Sequence, residues 1–233
     1  MTPRFDLFGP AHLAALAVVA AVAAGLPWLV RRRPSLARPA RAALVLALAG
    51  LTAAYLVALA REGPLSIWDV LPLHLCDFLL LVAPIALVTL RPWPCELLCF
   101  WGGTGTLLAT LTPDLATGWP EWRFVVYFGL HGAVVAAASL VAFGLGPPPR
   151  EGAAWRAFLV TNVYAAAVGA VDAVWGVNFL YLCGKPQAHT LLDRLGPWPA
   201  YLIVVDGIAL ALFAILEAVF RGAWRLRTRR RAD

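Results

Sequence analysis

The chain has 233 residues, 61% of them hydrophobic and only 14% charged, with a mean hydropathy of +0.77, which excludes an ordinary soluble domain. At about 20 apolar residues per crossing, the length holds roughly six to eight membrane helices with short connections and leaves no room for a large extramembrane domain. The net charge of +6 does not indicate a nucleic-acid partner, because Lys and Arg fall between and after the apolar runs, where they mark topology and meet anionic headgroups.

Unbroken apolar runs of this length exclude the alternating strands of a β-barrel and predict an all-α, polytopic transmembrane bundle forming a single integral membrane domain over 1–233. The first run, 11–30, has one arginine before it, Arg4, and Arg31, Arg32 and Arg33 after it. That is the reverse of a signal peptide, so it reads as a retained first helix. Further spans are predicted at about 42–60, 70–90, 95–112, 124–145, 155–177 and 200–220, giving seven. With seven spans, Arg31, Arg32, Arg33, Arg38, Arg41, Arg91, Arg150, Arg156 and the tail Arg221, Arg225, Arg227, Arg229, Arg230 and Arg231 share one side. Arg4, Arg61, Arg123, Lys185 and Arg194 share the other. This 14 to 5 division of the 19 cations predicts an N-terminus outside and a cytoplasmic C-terminus.

The connections carry further signals. Arg91-Pro-Trp-Pro and Gly146-Pro-Pro-Pro-Arg150 read as tight inner turns. The outer segment 178–199, NFLYLCGKPQAHTLLDRLGPWP, is too polar and too punctuated by Gly and Pro to span, and is expected to fold over the mouth of the bundle. Trp68, Trp93, Trp119, Trp122, Trp175, Trp198 and Trp224 fall near span ends, as interfacial anchors do. No internal repeat suggests the paired halves of a transporter.

Ionisable side chains within spans are expensive and tend to mark sites. His74, Cys76, Asp77, His131, Asp172 and Asp206 all fall in the outer half, at depths up to roughly 10 Å, and are expected to share one outward-facing chamber. On a regular helix His74 and Cys76 point to opposite sides, so Cys76 needs a base from another helix. His131 is at a compatible depth, and Asp206 or Asp172 is expected to orient it. Glu96 and Glu217, near the basic face, read as partners of arginines. Cys95 and Cys99 have no inner histidine to complete a metal site, and no CxxC pair or disulfide framework is present. The glycines of Gly102 to Thr106 read as a close helix crossing. Asp114, in Leu111-Thr-Pro-Asp114, stands at the outer mouth as a cap or a substrate contact.

Four segments carry a family resemblance: His74-Leu-Cys-Asp77 after Leu71-Pro-Leu; Phe100-Trp-Gly-Gly-Thr-Gly with Leu111-Thr-Pro-Asp114; Phe128-Gly-Leu-His131-Gly; and Asn178-Phe-Leu-Tyr-Leu-Cys-Gly-Lys-Pro186 with Leu192 to Tyr201. From about Leu13 to Phe220 the chain resembles the bacterial YwaF-type integral membrane proteins, distant relatives of a vertebrate multi-span membrane acyltransferase family. For the bacterial members the resemblance implies a multi-pass protein of the inner membrane and no particular activity. The vertebrate relatives are thought to move a fatty acyl group between phospholipids through a cysteine and a histidine, which fall on Cys76 and His131 here. Cys183 has no counterpart in that family.

The expectation is therefore a phospholipid acyltransferase, or a lipase if water is the acceptor, working through a thioacyl on Cys76 with His131 as acid and base. His74, Asp77, Asp114, Asn178 and Lys185 are the expected substrate contacts. No metal, organic cofactor or obligate protein partner is implied. The alternative is a carrier or receptor for a small polar solute or a lipid headgroup, with Asp172 and Asp206 lining its path. A third reading places a metal among His74, His131 and the aspartates.

Overall fold

The computed structural model describes residues 3–146, 148–186 and 191–229. Pro147 of the second proline turn, 187–190 of the outer segment, and Arg230 and Arg231 of the basic tail lie outside the described residues. Among the described residues there is no β-strand, only an isolated antiparallel bridge between Arg4 and Thr117, and the chain is all-α.

Helix α1 spans Pro10–Arg32, with proline in its first turn, where a missing N–H is harmless, and Arg31 and Arg32 in its last, where they meet the negative end of the dipole. Helix α2 spans Ala37–Glu62 and stops at Gly63. A single turn, α3, at Ile67–Val70 is closed by the Asp69 carboxylate, which accepts from the Ser66 N–H at 2.8 Å. Helix α4 is short, Leu75–Thr89, 15 residues. Helix α5, Pro92–Trp101, runs through a π-helical segment, Gly102–Thr106, into α6, Leu107–Leu111. Helix α7, Trp122–Ser139, also ends in a π-helical segment, Leu140–Leu145. Helix α8 spans Ala153–Trp175, and α9 spans Ala200–Arg229.

Among the described residues, five helical stretches are long and apolar enough to cross a membrane: Pro10–Arg32, Pro34–Glu62, Trp122–Leu145, Ala153–Trp175 and Ala200–Leu226. Of the other two runs expected to span, one begins five residues later than predicted, because Pro72 keeps Leu71 extended and leaves His74 as the N-cap of α4. The other is the interrupted run α5 to α6.

Helix α7 is the central post of the bundle, with 61% of its apolar window buried against 6% for α9. It packs on α1, α2, α4 and α5, and a core of Val30, Leu48, Leu79, Ala83, Ala86, Leu98, Phe100, Val134, Ala137 and Leu140 joins these helices. Small residues set the spacing. A Cβ added at Gly132 would stand 2.8 Å from Val19 Cγ2 on α1, and one at Gly102 would stand 3.0 Å from Ala138 Cβ, so the π-helical segment meets α7 as a close crossing.

The basic end of the bundle is tied by carboxylates and arginines. Glu96, buried, takes a two-pronged pair from Arg150, with Nε to Oε1 and Nη2 to Oε2 both at 2.9 Å, and a third contact from Arg156 at 3.3 Å. Among the described residues Glu217 pairs with no arginine, contrary to expectation. Its oxygens accept from the backbone N–H groups of Gly152 at 2.9 Å and Ala154 at 2.8 Å, capping the start of α8 from a neighbouring helix. Arg41 does the converse job on α4, donating to the terminal carbonyls of Leu87 and Val88.

The sequence reading passed over His12, which is almost fully buried on α1 among Phe5, Phe8 and Phe128. Its Nδ1 accepts from the Phe8 N–H at 3.0 Å, so Nε2 carries the proton and donates to the Thr110 carbonyl at 3.1 Å. The imidazole therefore staples the N-terminal turn to α6. A His12→Phe variant keeps the ring but leaves both backbone groups unpaired, and should lose about 2–3 kcal/mol of stability. A denaturant titration in detergent that finds no loss would remove this role.

Candidate functional site

Helices α2 and α6 finish, and α4 and α7 begin, at the same end of the bundle. A cavity of about 550 Å³ opens there. Its polar wall is made by His74, Cys76 and Asp77 at the start of α4, Asp114 after α6, Arg123, Tyr127 and His131 on α7, and Tyr181 from the segment before α9. Leu80, Leu108 and Leu130 supply apolar wall, as a site for a partly apolar ligand requires.

Each polar group is held by a neighbour. The Tyr164 hydroxyl on α8 sits 3.2 Å from the Pro72 carbonyl and 3.1 Å from that of Leu73, fixing the extended segment that delivers His74. The His74 Nδ1 accepts from the Leu180 N–H at 3.3 Å, which places its proton on Nε2 in the neutral ring. His131 has the opposite tautomer. Its Nδ1 lies 2.9 Å from the Tyr127 carbonyl, which can only accept, so Nδ1 carries the proton and Nε2 keeps a lone pair. The His131 ring also stacks on Tyr127 at 4.0 Å, and the Tyr127 hydroxyl donates to the Ala109 carbonyl at 2.9 Å, tying α7 to α6.

Cys76 is a free, half-buried thiol whose polar contact is weak, 3.9 Å from Sγ to Asp77 Oδ1, and it makes no hydrogen bond to His131. The two are brought together by the cavity. Both line it, and both line a smaller recess of about 20 Å³ with Asp77, Leu80, Thr106, Leu130 and Val134.

Asp172 and Asp206 are placed elsewhere and line neither space. Asp172, fully buried on α8, accepts from the Phe179 N–H at 3.0 Å, and Asp206 accepts from Asn162 Nδ2 on α8 at 3.0 Å. The orienting partner of His131 is thus the carbonyl of Tyr127, one turn earlier on its own helix, and not a carboxylate. Asn178 and Lys185 are also absent from the cavity wall. Asn178 closes its own loop, donating to Gly184 O and accepting from Cys183 N, both at 2.9 Å. Lys185 Nζ lies 5.5 Å above the ring of Tyr201 and 3.4 Å from Asp193 O. These bonds fold the outer segment so that Tyr181, Pro186 and Leu192 reach the cavity wall, and Trp198 Nε1 pins it by donating to Leu182 O at 2.8 Å.

Tyr55, Arg123, Tyr127 and Tyr181 line the cavity without having been singled out as site residues by the sequence. Tyr127 was findable, since it stands four residues before His131 and so shares its helix face. Arg123, at the mouth, is ion-paired with Glu62 of α2, which also accepts from Trp122 Nε1 at 3.1 Å. Tyr181 donates its hydroxyl to Asp114 Oδ2 at 3.0 Å. Burial, and then the charge of Asp114, push the Tyr181 phenol above its usual range, so it stays a donor throughout neutral and mildly basic pH. A Tyr181→Phe variant should unfold about 1 kcal/mol more easily. Equal denaturation midpoints for the two proteins would show that this bond does not hold the outer segment.

Among the described residues, no group of three His, Cys, Asp or Glu side chains is placed to hold a metal ion, so the metal reading has no ligand set. Compared with known proteins, residues 7–217 match the model of the TMEM164 family. No curated protein and no solved structure matches the chain.

Proposed function

The chain belongs to the TMEM164 family, a family of multi-span membrane proteins, and on the geometry of its cavity we propose that it is a membrane acyl-transfer enzyme that cleaves a phospholipid ester through a thioacyl on Cys76. One observation carries the reading. Cys76 on α4 and His131 on α7 line both the cavity and its inner recess, with the His131 Nδ1–H committed to Tyr127 O so that Nε2 is the nitrogen left to take a proton.

In this mechanism the thiol proton passes to His131 Nε2 and the thiolate attacks the ester carbonyl. As the tetrahedral intermediate collapses, the carbon–oxygen bond breaks and the departing lysolipid alkoxide takes the proton back from His131. The acyl group then passes to the hydroxyl of a second lysolipid, or to water: His131 takes the hydroxyl proton, the carbon–sulfur bond breaks, and the proton returns to the Cys76 thiolate. His74, whose proton is on Nε2, supplies a donor to the developing oxyanion. Asp172, Asp206, Asn178 and Lys185 take no part, since each is engaged outside the cavity. A carrier using Asp172 and Asp206 as its path draws no support from that placement.

The proposal includes seven passes, made by α1, α2, α4, the run α5 to α6, α7, α8 and α9. The cavity and N-terminus face outward and the C-terminus is cytoplasmic, in a bacterial inner membrane, with membrane phospholipid as the partner. The 14 to 5 division of cations supports this orientation. Intact-protein mass spectrometry after incubation with a defined phospholipid tests the chemistry. A hydroxylamine-sensitive mass gain equal to one acyl chain is expected. Folded protein that shows neither adduct nor lipid turnover across several lipid classes would overturn the reading.

A further inference from the structure

Three threonines follow one another at every second or fourth position where α5 passes into α6, and their hydroxyls behave differently. Thr104 donates to the carbonyl of Phe100 and Thr110 to that of Thr106, both at 2.7 Å, the usual return bond of a helical hydroxyl. Thr106 is as deeply buried, 2% exposed, yet its hydroxyl has no partner. It closes the π-helical segment, where the backbone register is shifted, and it lines the recess shared by Cys76, Asp77 and His131. A buried hydroxyl without a partner is costly, and the recess of about 20 Å³ is large enough to hold a water molecule. Its wall offers that water more than the two polar partners it needs.

We infer that the recess is a one-water site anchored by the Thr106 hydroxyl, and that this water carries the proton between the Cys76 thiol and His131 Nε2. The inference rests on the acyl-transfer reading for its purpose, though not for its test. The two groups make no direct hydrogen bond. The relay closes that gap: the thiol gives its proton to the water, the water gives one of its own to Nε2, and a thiolate and an imidazolium result while the Nδ1–H stays on Tyr127 O. Thr106 is a positioning residue, acting through the water.

The test is the rate at which N-ethylmaleimide modifies Cys76 at neutral pH, followed on the Cys76 peptide by mass spectrometry. Thr106→Val, Thr106→Ser and Thr104→Val are compared with the unaltered chain, and each sample is also scored for the acyl adduct. Thr106→Val should react roughly tenfold more slowly, the factor one hydrogen bond to a developing charge is worth. Thr106→Ser should stay within about twofold, because it keeps the hydroxyl. Thr104→Val, in the same segment but with its hydroxyl turned to the backbone, should not slow the reaction. An unchanged rate in Thr106→Val overturns the relay, as does a rate in Thr106→Ser as slow as in Thr106→Val, or equal slowing by Thr104→Val. Slowing confined to Thr106→Val with no acyl adduct in the unaltered chain keeps the water site and removes acyl transfer. An adduct in the unaltered chain with no slowing in Thr106→Val does the reverse.

Discussion

Replacing Cys76 with alanine should abolish the acyl adduct entirely, and replacing His131 with alanine should slow its formation by about 10² to 10⁴, the range that a positioned acid and base contributes. The two losses differ in kind. Without sulfur there is no atom to acylate, whereas without the imidazole a thiol can still reach the ester, slowly, at raised pH. His131→Gln sharpens the contrast, because its amide can return a donor to the Tyr127 carbonyl but has no lone-pair nitrogen to accept the thiol proton. It should be as slow as His131→Ala while folding as well as the parent chain. If Cys76→Ala still turns over lipid, the nucleophile is elsewhere. If adduct forms on Cys76 at full rate without His131, the base is.

A stability effect as large as that at His12 is expected at the other end of the bundle. Glu96 is only 3% exposed and is compensated by the backbone N–H of Arg150 and by guanidinium groups from Arg150 and Arg156. Arg150→Ala takes away both 2.9 Å side-chain bonds and the stacking of the guanidinium over Trp93, leaving a buried carboxylate with one contact at 3.3 Å and one backbone donor. Breaking a buried pair costs about 3–5 kcal/mol, and the remaining partners and the half-exposed Arg150 side chain reduce this to about 2–3 kcal/mol. The ion pair between Arg221 and Glu151, whose carboxylate is 89% exposed, should be worth less than about 1 kcal/mol by the same measure. Adding Glu96→Gln to Arg150→Ala removes the stranded charge and should restore part of the loss. Equal stabilities for Arg150→Ala and Arg221→Ala would mean that burial of Glu96 contributes nothing.

Helix positions were legible because crossing a bilayer demands unbroken apolar runs, and the starts at Pro10, Pro92 and Ala200 follow prolines or turns written in the sequence. The grouping of His74, Cys76, Asp77, Asp114 and His131 around one cavity could be anticipated from depth alone. Rotation about the helix axis could not. Helix α8 has almost no amphipathic face, so nothing in its pattern reveals that Asp172 turns to Phe179 or that Asn162 takes Asp206 of α9, instead of either carboxylate reaching toward α7. The unpaired hydroxyl of Thr106 is less visible still. It exists because a π-helical register and a close crossing with α7 meet at one point, and neither is a property of the threonine. His12 stands among the alanines that open α1, and besides the local Phe8 N–H its second partner, the Thr110 carbonyl, reaches it only through the fold.

The brevity of α4 has a bearing on where a lipid would be when it reacts. Fifteen residues rise only about 22 Å, against about 30 Å of hydrocarbon in a typical bilayer. On the proposed orientation, with its C-terminal carbonyls held by Arg41, the shortfall of about 8 Å would fall at the end that carries His74, Cys76 and Asp77. If α4 crosses as proposed, the bilayer beside it would thin or admit water, which would bring the thiol toward the depth of the glycerol backbone of the surrounding leaflet. A phospholipid could then present its ester sideways from its resting depth, with its chains still among their neighbours, and the work of extracting it from the membrane would not enter the barrier.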